Sequence, residues 1–366
     1  MILRLAAAVV AVAGVARGAV AETWRGQAEA GVEYDSNVRR VEDRAGPEAA
    51  PMLRARADLT ARGGERTRWT LALSGGARAA IAGPIQSEDA MIGGLDVGAV
   101  RRASERLGLT ARATHYEVFP VEGAGAARAF ASSGVDLGAA LVDARERRAL
   151  VAVGLRRLAY KPDPDFDWSG PALAVTLEQP LWRADDRAID LVAGYRVERR
   201  TYRGLAYHNA CAPGAPLEVR CFVPGDRARA DLVQLASARV SYTGARAASV
   251  AYELAAVDST SFGSSYLRHR LTAAVTLPLP ARVFATASVT AQLDRFGEPQ
   301  LVARDIANQS FTSIDDEARS SAALRLGRGF GRHWQAELRW SLHASGLDDA
   351  TAYRRQVAYG GLTWER

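Results

Sequence analysis

The feature that most constrains this chain is a period of two that recurs along its whole length in stretches of ten or more residues. From Trp24 to Tyr34 one set reads Trp24, Gly26, Ala28, Ala30, Val32, Tyr34, and the alternate set reads Arg25, Gln27, Glu29, Gly31, Glu33. Only an extended strand puts two such sets on opposite faces. The pattern repeats with Leu53, Ala55, Ala57, Leu59, Ala61 against Arg54, Arg56, Asp58, Thr60, Arg62. Gly63 and Gly64 then turn the chain into a third alternating stretch that contains Trp69, Leu71 and Leu73.

Continued to the end, the alternation predicts sixteen strands, over 24–34, 52–62, 67–79, 90–101, 107–116, 129–142, 148–158, 170–179, 187–202, 230–242, 247–257, 265–277, 282–294, 318–326, 333–343 and 353–364. Strands of globular domains average about 5 to 6 residues, whereas membrane-crossing strands need ~9 to 11. Short connections (Arg102 to Arg106, Asp143 to Arg147, Pro278 to Ala281) alternate with mostly longer ones (Asp35 to Pro51, Glu117 to Ala127, Gly204 to Arg229, Arg295 to Glu317). An even strand count with short turns at one rim and long loops at the other predicts an all-β transmembrane, antiparallel, up-and-down barrel. A lumen of about 16 strands is too wide for side chains to fill, so the apolar face is expected outside, in lipid. A four-bladed propeller also has sixteen strands, but its strands are short and its sheets are stacked face to face.

Residues 1 to 21 read as a cleaved export signal: Arg4 opens it, Leu5 to Val15 is a short apolar core, and Ala19, Val20 and Ala21 are the small residues before the cut at Glu22. The expected mature domain is therefore 22 to 366. Past residue 21 no apolar run approaches the ~20 residues of a spanning helix. Export favours a disulfide between the two cysteines, Cys211 and Cys221, which fall in one loop-like segment.

The chain has 366 residues, with 47 basic against 41 acidic, a net charge of +6. A nucleic-acid binder concentrates such an excess in a patch with interleaved aromatics. Here Arg and Asp/Glu are intermixed throughout, which argues against nucleic acid. Trp24, Trp69, Trp334 and Trp364 fall at strand ends nearest the short turns, where an interfacial girdle is expected; Trp340 falls mid-strand.

The opening strand followed by Tyr34, Asp35, Ser36, Asn37, Val38, the stretch Phe166, Asp167, Trp168, Ser169, Gly170 and the closing Tyr353, Arg354, Arg355, Gln356, Val357 resemble the barrel domain of surface lipoprotein assembly modifiers. The helical-repeat domain of that family has no counterpart ahead of Trp24, and the last strand ends on Glu365 and Arg366 where an aromatic is usual. The resemblance implies a Gram-negative outer membrane, insertion by the barrel-assembly machinery, periplasmic termini, and outer-membrane lipid and lipopolysaccharide as surroundings.

Function would live on the inward set. Its pore-lining candidates are Arg54, Arg56, Asp58, Arg112, Arg196, Glu198, Arg239, Arg270, Arg325 and Arg339, within a larger set where Arg outnumbers carboxylates. Two outcomes are open: a mildly anion-preferring field, or charges that pair across strands and stiffen the wall. Asp163, Asp165 and Asp167 alternate in an outer loop, but Trp168 and Ala174 occupy positions where a helix-flanked calcium loop needs Gly and a carboxylate. Ser341 and His343 share a strand face without an identifiable orienting residue, and the remaining histidines show no ligand spacing. Gly327 to Gly331 are expected to form a tight turn. The expectation is thus a barrel without enzymatic activity, metal or cofactor. It acts as a conduit, either passive pore or export channel; alternatively it is a surface assembly or recognition barrel with a plugged lumen.

Overall fold

The computed structural model describes residues 23–38, 46–81, 89–120, 129–212, 221–298, 320–345 and 353–366. The expected export signal lies outside them. Sixteen strands follow in order: β1 Thr23–Asp35, β2 Ala50–Gly63, β3 Thr67–Ala80, β4 Ala90–Arg102, β5 Leu107–Pro120, β6 Phe130–Val142, β7 Arg148–Tyr160, β8 Trp168–Ala184, β9 Arg187–Asn209, β10 Phe222–Thr243, β11 Ala247–Ser259, β12 Tyr266–Leu279, β13 Val283–Phe296, β14 Ser320–Phe330, β15 Trp334–Ser345 and β16 Tyr353–Glu365.

Each strand pairs antiparallel with the next, and β1 pairs with β16 from Gln27↔Glu365 to Asp35↔Val357, which closes one continuous barrel. Closure leaves no strand edge unpaired. It also excludes the propeller, whose sheets would be separate. Backbone bonds from Gly26 N to Arg366 O and from Arg366 N to Gly26 O, 2.9 and 2.8 Å, continue the seam to the last residue. The connections after even-numbered strands are tight and share one rim with Thr23 and Arg366. In the turn after β2, Gly64 has φ +90°, and a Cβ there would lie 2.1 Å from Thr67 O. Only glycine closes that turn without strain.

Burial runs opposite to that of a water-soluble core. Leu137, Leu155 and Leu338 face outward and are 60%, 66% and 62% exposed, while Glu29, Glu33, Glu198 and Glu337 face inward and are buried. Leaving each such leucine in water would forgo about 1.5–3 kcal/mol. The outer belt therefore fits an apolar solvent. Trp24 and Trp334 stand exposed on its outside at the short-turn rim, joined there by Trp182, which lies past the 170–179 stretch that the alternation predicts for the eighth strand. Trp340 is exposed mid-strand.

Three expectations are corrected. The segment Gly204 to Arg229 is not mainly loop: β9 and β10 run 23 and 22 residues and pair from Ala188↔Thr243 to Asn209↔Phe222, with register shifts near Ala228. Beyond Tyr202 this ribbon outruns β8. It is braced by Arg203 N to Asp167 O (2.8 Å) on one flank and Phe262 N to Tyr207 O (2.8 Å) on the other. Second, Gly327 to Phe330 belong to β14, and the turn begins at Gly331. Gly327 is needed because a Cβ would lie 2.2 Å from the Phe284 ring. Third, the inner wall is not uniformly polar. Val118, Phe130, Leu158 and Tyr160 point inward yet are buried, because Phe166 of the β7–β8 connection and Trp168 pack on them. Val38, just after β1, does the same for Met52 and Ala50. Segments at the long-loop rim thus give these side chains dry neighbours inside the barrel.

Candidate channel lining

Cross-strand partners share a face, so register carries inwardness around the barrel. Gln27 pairs with Asp58, Asp58 with Ser74, Ser74 with Gly94 and Gly94 with Tyr116, all on the lumen side. The same bookkeeping places Arg54, Arg56, Asp58, Arg112, Arg196, Glu198, Arg239, Arg270, Arg325 and Arg339 on that face. They do not converge on one point. They are spread over β2, β5, β9, β10, β12, β14 and β15.

What distinguishes them is their partners. Arg56 meets Asp58 at 2.8 Å, Arg200 meets Glu198 at 2.5 Å and Arg339 meets Glu29 at 2.5 Å. Arg112 pairs with Asp96, and Arg325 and Arg339 share Glu337. Several pairs lie two residues apart on one strand, the spacing that returns a side chain to the same face. By contrast, Arg196, Arg239 and Arg270 have no ion-pair partner among the described residues. Arg196 Nε and Arg270 Nε are also without a hydrogen bond. Arg25, Arg62 and Arg68, on the lumen face of β1 to β3 nearer the short-turn rim, are likewise without an ion pair among the described residues, while Glu253 on β11 stands in register with Arg270.

Above these residues, toward the long-loop rim, arginines stack on aromatic faces. The Arg200 Cζ lies 4.4 Å from the Trp168 ring centre, Arg229 4.3 Å from Tyr202 and Arg268 5.2 Å from Tyr266. Each also holds a carboxylate: Glu198, Asp231 (2.7 Å) and Asp294 (2.8 Å). Stacking leaves the guanidinium edge free to bond in its own plane. Arg229, Tyr202, Asp231 and Asp294 were absent from the pore-lining candidates. The signal was present, since Arg227, Arg229, Asp231 and Val233 continue the alternation into the stretch assigned to a loop. Across the barrel, Gln27, Glu29, Arg56, Asp58, Arg325 and Arg339 line a polar recess of about 400 Å³ beside the seam.

Other candidates have plain structural partners. Cys211 and Cys221 are disulfide-bonded at the base of the ribbon's tip. Asp163 accepts the Asp165 N–H at 3.0 Å and so caps the short 3-10 turn Pro164–Phe166; Asp167 accepts the Tyr160 N–H at 2.6 Å. Ser341 Oγ and His343 Nε2 are 3.2 Å apart on the lumen face. His115 and His269 point outward, where they meet Ser133 Oγ (2.9 Å) and Tyr252 Oη (2.7 Å).

No family model matches the chain, and no curated protein does. Among solved structures, it is similar to the outer membrane protein OpdK of Pseudomonas aeruginosa (TM-score 0.42, 10% identity, 94% of this chain and 100% of that one). It is also similar to a BenF-like porin of Pseudomonas fluorescens Pf-5 (0.48, 7%, 94% and 99%) and to OccAB3 of Acinetobacter baumannii (0.45, 8%, 94% and 99%).

Proposed function

We propose that this chain is an outer-membrane channel of a Gram-negative cell: a non-enzymatic, porin-like conduit with a mild preference for anions. The membrane placement rests on the exposed apolar belt around a closed barrel with a charged interior. In that placement the short-turn rim and both termini face the periplasm, and insertion falls to the barrel-assembly machinery. The observation that carries anion preference is the excess of lumen-facing arginines without an ion pair among the described residues, Arg196, Arg239 and Arg270 on β9 to β12 and Arg25, Arg62 and Arg68 on β1 to β3, over such carboxylates as Glu253. Paired charges cancel at short range, so the residual field comes from these unpaired groups. That field is screened over about 8 Å at physiological salt, which makes the preference mild. Transport by this route would be passive.

Reversal potentials under a salt gradient, measured on single channels of the refolded chain from Glu22 to Arg366 in a planar bilayer, test this reading. Anion preference is expected in the parent, with reversal in Arg196→Glu/Arg270→Glu. Cation preference in the parent, or selectivity indifferent to the substitutions, contradicts it.

A second reading draws on the inward packing of Val38 and Phe166: a surface assembly or recognition barrel whose lumen is filled at the long-loop end. Silence from a demonstrably inserted barrel would favour it over the conduit.

A further inference from the structure

On the outside of β7 and β9 the apolar series is interrupted by arginines, with Leu205 and Tyr207 following only on the part of β9 that extends past β8. On β7 the outward series runs Ala149, Val151, Val153, Leu155 and then Arg157. On β9 it runs Leu191, Ala193, Tyr195, Val197 and then Arg199, Thr201, Arg203. Between them, Ser169 of β8 pairs with both Arg157 and Thr201. Arg157, Arg199 and Arg203 are exposed and have no side-chain hydrogen bond or ion pair among the described residues. The local carboxylate, Glu117, is already held by Lys161 and lies 3.6 Å from His115 Nε2. Asp258 is a further acidic residue on this face, two strands from Arg199. Asp167 spends its carboxylate on the Tyr160 N–H.

Free guanidinium groups at the edge of a hydrocarbon layer bond best to phosphate, whose oxygens match their fork and whose charge is poorly screened there. We propose that Arg157, Arg199 and Arg203, with the Ser169 and Thr201 hydroxyls between them, form a seat for the phosphates of a glycolipid in the leaflet at the long-loop rim. The inference rests on the membrane reading above. The spacing selects the headgroup. Two strand intervals put Arg157 about 10 Å from Thr201, and four residues put Arg199 about 13 Å from Arg203. One phosphodiester does not span that triangle, whereas two phosphates on a sugar frame do, with the sugar facing the two hydroxyls.

The test uses the full mature chain inserted into phosphatidylcholine vesicles carrying a bis-phosphorylated glucosamine-disaccharide lipid, the same lipid stripped of phosphate, or phosphatidylglycerol. Lipid retained per barrel after detergent extraction is counted by native mass spectrometry. The parent is expected to retain the bis-phosphorylated lipid. Arg157→Gln/Arg199→Gln/Arg203→Gln is expected to lower retention by about tenfold or more, the worth of a lost charge-assisted contact. Arg101→Gln/Arg328→Gln, which removes outward cations at the opposite rim, is expected to leave retention unchanged. Triple substitution by Lys, which keeps charge and loses the fork, is expected to give an intermediate count and guards against a folding defect. Equal retention by the triple Gln variant, or equal retention of the stripped lipid or phosphatidylglycerol by the parent, overturns the proposal while the membrane reading stands. Failure of the parent to insert into plain phosphatidylcholine vesicles overturns both.

Discussion

Arg355 of β16 grips Asp35 of β1 across the closing seam, with Nε 2.9 and 3.0 Å from the two carboxylate oxygens and a terminal nitrogen at 2.6 Å. Both side chains are buried, and Arg78 of β3 also pairs with Asp35 while the Asn37 N–H donates to it at 3.0 Å. The pair thus ties first strand to last at the rim where the β1–β16 register ends.

Truncating one partner of a buried ion pair strands the other charge, at a cost of about 3–5 kcal/mol. Asp35→Ala is therefore expected to lower barrel stability by that amount, read as the urea midpoint of the shift between folded and unfolded bands on cold SDS gels. Arg56→Gln breaks the Arg56–Asp58 pair, whose side chains are 43% and 31% exposed, and is expected to cost no more than about 1 kcal/mol. Equal effects would mean that the seam pair has no special weight.

Gly327 answers to Phe284 rather than to a turn. Gly327→Ala is expected to cost about 1–3 kcal/mol through overpacking. In a Phe284→Ala background the same substitution should cost much less, since the nearest atoms to the new methyl group belong to that ring. Urea unfolding of the four proteins of the cycle gives the coupling; additive costs would contradict the contact.

The Cys211–Cys221 bridge closes a small loop, worth about 2–3 kcal/mol by loop entropy. Because the ribbon extends past β8, that stabilisation is expected to stay local. Cys211→Ser/Cys221→Ser should speed amide exchange in Leu205 to Asn209 and Phe222 to Ala228 without moving the barrel's unfolding midpoint. A shift of the global midpoint would show that the ribbon is part of the barrel's cooperative unit.

At Asp143, in the turn after β6, the largest single influence is desolvation, which raises the pKa. The Arg147 guanidinium and the Arg147 and Arg145 N–H groups, at 2.9 and 2.8 Å, together outweigh it, so the carboxyl titrates below the usual 3.8. A depressed folded pKa means the turn's support is present above pH 3.8 and is lost as pH falls through the folded value. Carbon-13 carboxyl titration is expected to give a midpoint under 3.8 that rises toward it in Arg147→Gln. A parent midpoint at or above 3.8 would contradict this.

Much of the barrel was legible because alternation is local. Leu53 and Arg54 occupy opposite faces by backbone geometry alone, whatever strand lies beside them. The same logic placed Arg196 and Glu337 on the lumen side and Leu155 outside. It faltered at Gly204 to Arg229, expected as a loop, where Leu205 to Asn209 and Phe222 to Ala228 pair with each other well past β8. It also misplaced Gly327, whose reason is a phenylalanine on the neighbouring strand.

The sequence by itself determined which residues share a face, how many strands there are and which rim holds the short turns, since a period of two and turn residues act over a few positions of chain. Only the tertiary structure decided that Arg339 meets Glu29 across the seam while Arg196 and Arg270 stay unpaired, or that Phe166 covers Phe130 inside the barrel. Those outcomes depend on register between strands far apart in sequence, and a shift of two residues would keep every face while exchanging every partner.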